Sequence, residues 1–280
     1  MRYFDAIWAF GVVFVIVAIL NYVIPNIDVD INVELIITIS TFLFAILAGF
    51  FTSRLNNRYD KIRELVATED ASLFSLYHAS KIYGKKFSDD IRELIDKYYI
   101  TCYDNPVSGA YAQTVHYVIK FWDKLQEISK HKSESLYQVL CQNLVDLERS
   151  RKESSATYIE RLGVGQWFVL IFLGVIVVAG LFLIRTGTVT SDLVTILLTS
   201  AIMLVLLIIR DLNNFMLGGI PLMEESGQTV LEAIGKERYY HDYFIKKGFS
   251  QGHKKSHVQR YRLGTHELNS GKHSITLVKK

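Results

Sequence analysis

Four apolar runs constrain this chain more than any other feature: Ala6 to Ile24, Leu35 to Phe51, Val164 to Ile184 and Leu193 to Ile209, none of which contains Asp, Glu, Lys, Arg or His. A bilayer core takes roughly 17–25 apolar residues as a helix, so all four are long enough to span it, the second and fourth only just. The runs form two close pairs, and the residues between the pairs are charged and patterned as helices. The sequence therefore predicts an all-α membrane protein. Residues 1–53 hold transmembrane helices one and two, 54–163 a cytoplasmic helical domain, 164–210 transmembrane helices three and four, and 211–280 a C-terminal helix with a basic tail.

Charge at the ends of the runs sets the topology. The first linker holds Asp28, Asp30 and Glu34 and no basic residue, whereas Arg54, Arg58, Lys61 and Arg63 follow the second run. Basic clusters stay on the cytoplasmic side, which places both termini and the middle segment there. Arg185, in the short linker after the third run, opposes the rule but is outnumbered. The first run is too long for a secretory signal and no small-x-small cleavage pattern follows it, so it is expected to remain as an anchor. The result is an integral protein of the cytoplasmic (plasma) membrane. The only two cysteines, Cys102 and Cys141, fall in the cytoplasmic segment without metal-ligand spacing, so a reduced pair with no zinc or redox role is expected.

Beyond the second run, Leu55, Tyr59, Ile62 and Val66 continue one helical face, and no helix breaker comes before Gly84. One helix from near Leu35 to Tyr83 is predicted, reaching about 70 Å at 1.5 Å per residue. Ser88-Asp89-Asp90 is expected to cap the next helix, which carries Ile91, Leu94, Ile95 and Tyr98 and ends at Asn105-Pro106. Further helices are expected from Ser108 to Lys130 and from near Ser133 through Leu136, Leu140, Leu144 and Leu147 to about Glu160, completing a four-helix bundle. His78 and His116 read as core or boundary residues.

After the fourth run, Gly218-Gly219 and Pro221 break the helix, and a short amphipathic helix is predicted between Leu222 and Phe249. The rest of the tail is poor in apolar residues and is expected to be flexible or ordered only by contact. From Lys236 to Lys280 it carries eleven Lys and Arg against three Asp and Glu, in a chain whose net charge is +3. Such a tail is drawn to anionic lipid by about 1 kcal/mol per charge. It also fits a partner-binding segment or a plug at the cytoplasmic mouth of a pore. Lys254, Lys255, Arg260 and Arg262 among His and Tyr resemble an RNA-contacting composition, but the adjacent membrane favours lipid, and nucleic acid is not the expected partner.

Three stretches carry a family resemblance: Ser53-Arg54-Leu55 to Leu76 with Glu64, Glu69 and Asp70; Glu148-Arg149-Ser150-Arg151 to Arg161 leading into Trp167; and Arg210-Asp211-Leu212-Asn213-Asn214-Phe215-Met216-Leu217-Gly218. Together they resemble the bestrophin-like family of prokaryotic membrane proteins over about residues 5 to 235. The resemblance implies distant kinship to bestrophins, pentameric channels that pass mainly anions through a pore lined by the second span. No acidic loop of EF-hand type is present, so calcium control is not carried over.

The residues of the second span support a channel independently. Thr38, Thr41, Ala45, Ala48 and Thr52 recur at spacings of three and four, which sets small and hydroxyl side chains on one stripe that can face water. Phe44 and Phe51 form a second stripe suited to a hydrophobic constriction, and Arg54 and Arg58, repeated around a ring, would attract anions. The bland alternatives are that the small residues, with Ala45-x-x-x-Gly49, mark close helix packing and that both arginines are interfacial anchors. No intramembrane charge suggests a coupled transporter or a voltage sensor. No phosphate loop, His-Glu-x-x-His motif or nucleophile elbow suggests an enzyme, and His253-x-x-x-His257 lies in the tail, where solvated residues rather than a metal site are expected. The reading is a homo-oligomeric channel for small ions, anions by preference, with no cofactor, metal or catalytic residue. The alternative is a non-conducting scaffold or signalling adaptor that recruits partners through its cytoplasmic helices and tail.

Overall fold

A computed structural model describes residues 6–25, 33–105, 107–128, 134–216, 225–248, 250–255, 257–268 and 274–280. The chain divides into two compact units, residues 1–59 with 161–217 and residues 60–160 with 218–280. Asp28, Asp30, Pro106, Gly218, Gly219, Pro221 and Leu222, on which parts of the sequence reading rest, lie outside the described residues.

The first unit contains α1 (Ala6–Val23), the first part of α2 (Val33–Ser80), α6 (Val164–Leu183) and α7 (Val189–Asn213). Helices α2, α6 and α7 are long and apolar enough to cross a membrane, and α1 is an apolar helix of 18 residues. Large apolar side chains cover their outer surfaces, including Val15, Ile19, Ile39, Phe172 and Leu197, as a hydrocarbon solvent requires. Helix α1 packs along α7, and α6 packs beside α7. The approach of α6 to α2 is close. A Cβ built on Gly180 would lie 2.3 Å from a side-chain carbon of Ile37, so this position admits only glycine without repacking.

Arg185 has a local reason to sit where it does. Its guanidinium donates to the Asn21 carbonyl in the last turn of α1 and pairs with Asp192 at 3.5 Å, and its side chain is almost fully buried. It caps orphan carbonyls at a helix C-terminus.

A second joint fixes the other end of α7. Phe215 takes the left-handed conformation (φ 60°) that usually selects glycine, and the amides of Phe215 and Met216 donate back to the Leu212 and Asp211 carbonyls at 3.1 and 2.9 Å. The strain of a bulky side chain there is offset by burial: Phe215 stacks on Tyr59 with ring centroids 4.1 Å apart and lies under the Arg58 guanidinium. Arg58 also donates to the Asn213 carbonyl (3.1 Å), and the Asn213 side-chain oxygen accepts from the Leu162 amide (2.8 Å).

The second unit gathers the rest of α2 with α3 (Lys85–Asp104), α4 (Val107–Ile128), α5 (Glu134–Ile159), α8 (Gln228–Ala233), β1 (Tyr239–His241), α9 (Asp242–Lys246), β2 (Arg260–Gly264) and β3 (Ile275–Lys279). Its core joins Leu73 and Leu76 of α2, Ile91, Ile95 and Tyr98 of α3, Phe121 and Leu125 of α4, and Leu140, Leu144 and Leu147 of α5. Leu231 of α8 and Tyr239 of β1 complete it. Asp70 ties α2 to this core, accepting from Tyr99 Oη (2.7 Å) and the Gly227 amide (2.9 Å). Gly227 has φ +74° and no room for a side chain, since a Cβ there would meet the Tyr99 ring at 2.1 Å.

Helix α2 runs unbroken for 48 residues and is followed by one 3-10 turn, Lys81–Tyr83. The predicted cap at Ser88 is not the start of α3. The helix begins at Lys85 behind Gly84, and the Ser88 hydroxyl donates to the Lys85 carbonyl (3.0 Å).

The tail departs most from expectation. A single amphipathic helix between Leu222 and Phe249 does not form, because α8 stops after six residues at Gly235 (φ +80°) and β1 follows. The tail is not featureless either, so the fold is mostly helical rather than all-α. Strand β2 pairs parallel with β1 (Tyr239 opposite Arg262) and antiparallel with β3 (Arg260 opposite Lys279), giving the order β1-β2-β3. Part of the basic charge is consumed locally. Arg262 grips both oxygens of Asp96 (2.9 and 2.6 Å), Lys236 reaches Glu93 (2.6 Å), Arg238 reaches Glu232 (2.6 Å) and Lys255 reaches Glu225 (2.7 Å).

Gln228 locks β1 in place. Its amide donates to the Tyr239 carbonyl (2.7 Å) and accepts from the Tyr239 amide (3.0 Å), and the side chain is fully buried. Replacing Gln228 with Ala strands two buried backbone groups and should cost roughly 2–4 kcal/mol. Hydrogen exchange checks this: the amides of β1 and β2 should lose protection in the variant while those of α4 keep theirs.

Candidate functional site

The candidate site is the face of α2 within the first unit. Thr38, Thr41 and Ala45 are exposed on the protomer, and Thr52 is half-buried. The Thr38 hydroxyl donates to the Glu34 carbonyl one turn earlier (2.8 Å), which spends its proton on the helix and leaves oxygen lone pairs facing outward. Ala48 belongs to the same stripe by spacing but is 6% exposed, and Phe44 and Phe51 are equally enclosed. Phe44 packs against α6 at Gly174, where a built Cβ would stand 3.5 Å from its ring. The structure therefore separates two sets of side chains. Phe44, Ala48, Phe51 and Leu55 face the protomer interior, and the two threonines with Ala45 are left uncovered.

The two arginines beyond the span also part company. Arg54 is exposed. Arg58 is 5% exposed and is engaged by the Asn213 carbonyl and the Phe215 ring, so its charge serves the joint at the end of α7. Their spacing of four gives no hint of this. The signal lies in the partner segment, where Asn213 and Phe215 follow the fourth run.

Cys102 on α3 is free, and burial pushes its thiol well above the ordinary range, which keeps it protonated and unreactive. A second polar cluster, in the other unit, went unnoticed in the sequence. Asp104 at the end of α3, His241 at the end of β1 and His266 just after β2 bring their ligand-type atoms within 4.8 Å of one another. His266 Nε2 lies 2.9 Å from Asp104 Oδ2, and Tyr239 Oη donates to Asp104 Oδ1. Burial lowers the tendency of the His241 imidazole to take up a proton, against the pull of the Asp104 carboxylate. No linear spacing announces residues so far apart, and only the pairing of β1 with β2 unites them.

The roles of the two arginines are separable by substitution. Arg58→Ala should destabilise the protein by roughly 2 kcal/mol or more through lost packing and an unpaired carbonyl. Arg54→Ala should leave stability within about 0.5 kcal/mol, as an exposed site does. Thermal unfolding of the detergent-solubilised variants measures both.

Comparison with known proteins identifies the fold. A family model described as the Bestrophin-like domain matches residues 7–220, which leaves the β-sheet of the tail outside the matched region. A crystallised membrane protein, a point variant, superposes with a TM-score of 0.62 at 12% identity, covering 83% of this chain and 99% of its own. A bacterial bestrophin homolog from Klebsiella pneumoniae, also a point variant, gives 0.61 at 12% identity, covering 82% of this chain and 99% of its own. No curated protein matches the chain by sequence. Both the architecture and the match across most of the length lead to one statement of kinship: this chain belongs to the bestrophin-like family of membrane proteins.

Proposed function

We propose that the chain is the subunit of a homo-oligomeric ion channel in the plasma membrane, with both termini cytoplasmic, α2 lining the conduction path and anions as the preferred ion. The observation that carries this reading is the uncovered threonine face of α2 on a protomer of bestrophin-like fold. Among the described residues Thr38, Thr41 and Ala45 are left uncovered within the protomer, and rotation about a symmetry axis gives this face a partner. Water and ions then meet Thr38, Thr41, Ala45 and Thr52. Wide spacing of small groups leaves a passage; a hydroxyl solvates an anion only through its proton, which Thr38 spends on the Glu34 carbonyl, so the stripe supplies room rather than anion selectivity.

Anion preference rests on Arg54. One exposed guanidinium per subunit, brought together at the cytoplasmic end of the path, raises local anion concentration, with an effect that falls as salt screens it. Arg58 is not assigned to this role because the joint at the end of α7 uses it. Phe44, which packs against α6 at Gly174, and Phe51 are both enclosed within the protomer, and the constriction is not assigned to either in this reading. Five subunits follow the kinship with bestrophins. The remaining exposed lysines, among them Lys247 and Lys279, are the groups available to anionic lipid.

Reconstitution into liposomes tests the proposal. Chloride and sodium gradients applied separately should give chloride flux in excess of sodium flux. Thr41→Trp should abolish it while the oligomer, checked by size-exclusion chromatography with light scattering, stays intact. Flux of neither ion from intact oligomers would contradict the channel and favour a scaffold that recruits partners. Separately, Arg54→Glu should lower chloride flux several-fold at low salt and much less at high salt; equal loss at both would remove Arg54 from the conduction path.

A further inference from the structure

Asp104, His241 and His266 have no part in the channel reading, yet they converge from three elements of one unit. Asp104 and His241 are each 3% exposed, and the His266 side chain is 6% exposed. Among the described residues the buried His241 Nε2 makes no side-chain hydrogen bond and has only the His266 backbone as a polar neighbour, which leaves it poorly satisfied for a buried group. We propose that these three side chains form a site for one divalent transition-metal ion of the zinc class, which fastens β1 and the turn after β2 to the end of α3.

The donor set argues for the class. Two imidazoles and one carboxylate suit zinc and its neighbours, whereas calcium and magnesium demand oxygen throughout. Zinc bonds of roughly 2.0–2.2 Å place adjacent ligand atoms about 3.3 Å apart. His266 Nε2 and Asp104 Oδ2 stand at 2.9 Å, close to that spacing, and no pair of donors exceeds 4.8 Å. No gap therefore needs to close by more than roughly 1.5 Å to reach that spacing, a movement that ring rotations supply. Tyr239 Oη already holds the other oxygen of Asp104, as an outer-shell donor does when it orients a ligating carboxylate.

Loading has a defined cost. Without metal, His241 Nδ1 accepts from the Tyr243 amide (3.2 Å) and His266 Nδ1 accepts from the Ser274 amide (3.3 Å), so each ring carries its proton on Nε2. Coordination through Nε2 transfers that proton to Nδ1 and breaks both bonds. Both are long, and Tyr243 and Ser274 are exposed, so water takes over the released amides. The amide of Tyr243 should therefore exchange faster in the loaded protein.

The test uses full-length, tag-free protein, stripped with a chelator and titrated with zinc chloride, with metal content read by inductively coupled plasma mass spectrometry and affinity by calorimetry. One zinc per chain and a raised melting temperature are expected. His241→Asn keeps a side-chain acceptor for the Tyr243 amide, since Asn is a good N-cap, but removes the Nε2 ligand. It should melt like the metal-free protein and bind zinc at least about 100-fold more weakly, given that even outer-shell changes cost 10–100-fold. His253→Asn with His257→Asn should bind as the parent does. Equal uptake by the parent and His241→Asn, no uptake by the parent, or loss of uptake in the His253 and His257 variant would each overturn the proposal.

Discussion

The first unit depends on one joint, where the end of α7 is clamped to α2. Phe215 sits in a backbone conformation that a bulky side chain adopts only under compulsion, and Tyr59 and Arg58 of α2 supply that compulsion by stacking and capping. Asn213 extends the joint to Leu162, two residues before α6 begins. Three segments distant in sequence are thus fixed at one level by polar groups that the apolar helices cannot supply. Helix packing in hydrocarbon has little hydrophobic drive, so such directional contacts, with glycine contacts such as Gly180 on Ile37, decide which face of α2 is turned inward. The uncovered threonine face is a consequence of that choice.

Much of this was legible in the sequence because it is local. The four runs, the continuity of α2 through Leu55, Tyr59 and Ile62, and the leucine face of α5 are all statements of periodicity, and periodicity survives without knowledge of the partner. Arg54 and Arg58 show where that ends. They lie on one side of one helix, yet one is exposed and the other buried, because burial depends on Asn213 and Phe215 across the unit. Ser88 failed as a cap for a different reason: Gly84 already turned the chain, so the helix started a turn earlier.

The tail was misread through its composition. Counted as free charge, Arg238, Arg262, Lys236 and Lys255 describe a polybasic segment, but in the structure each meets a carboxylate. Few apolar residues left flexibility and order by contact both open, and a small sheet needs few when Tyr240, Val258 and Tyr261 are packed together and Tyr239 joins the helical core. The parallel pairing of β1 with β2 is set by residues more than twenty positions apart, beyond the reach of any local pattern. The same non-local pairing creates the Asp104, His241 and His266 cluster, which lies in a part of the chain outside the family match.

The central claim is that the uncovered face of α2 meets water along a conduction path, and substituted-cysteine accessibility tests it most directly. With Cys102 and Cys141 replaced by Ser, single cysteines are placed at each position from Thr38 to Thr52 and exposed in membranes to a charged, membrane-impermeant thiol reagent while chloride current is recorded. The account predicts modification and block at positions 38, 41, 45 and 52, with protection at 44, 48 and 51. Modification concentrated on the opposite face, or reaction along the threonine face that leaves the current unchanged, would contradict it.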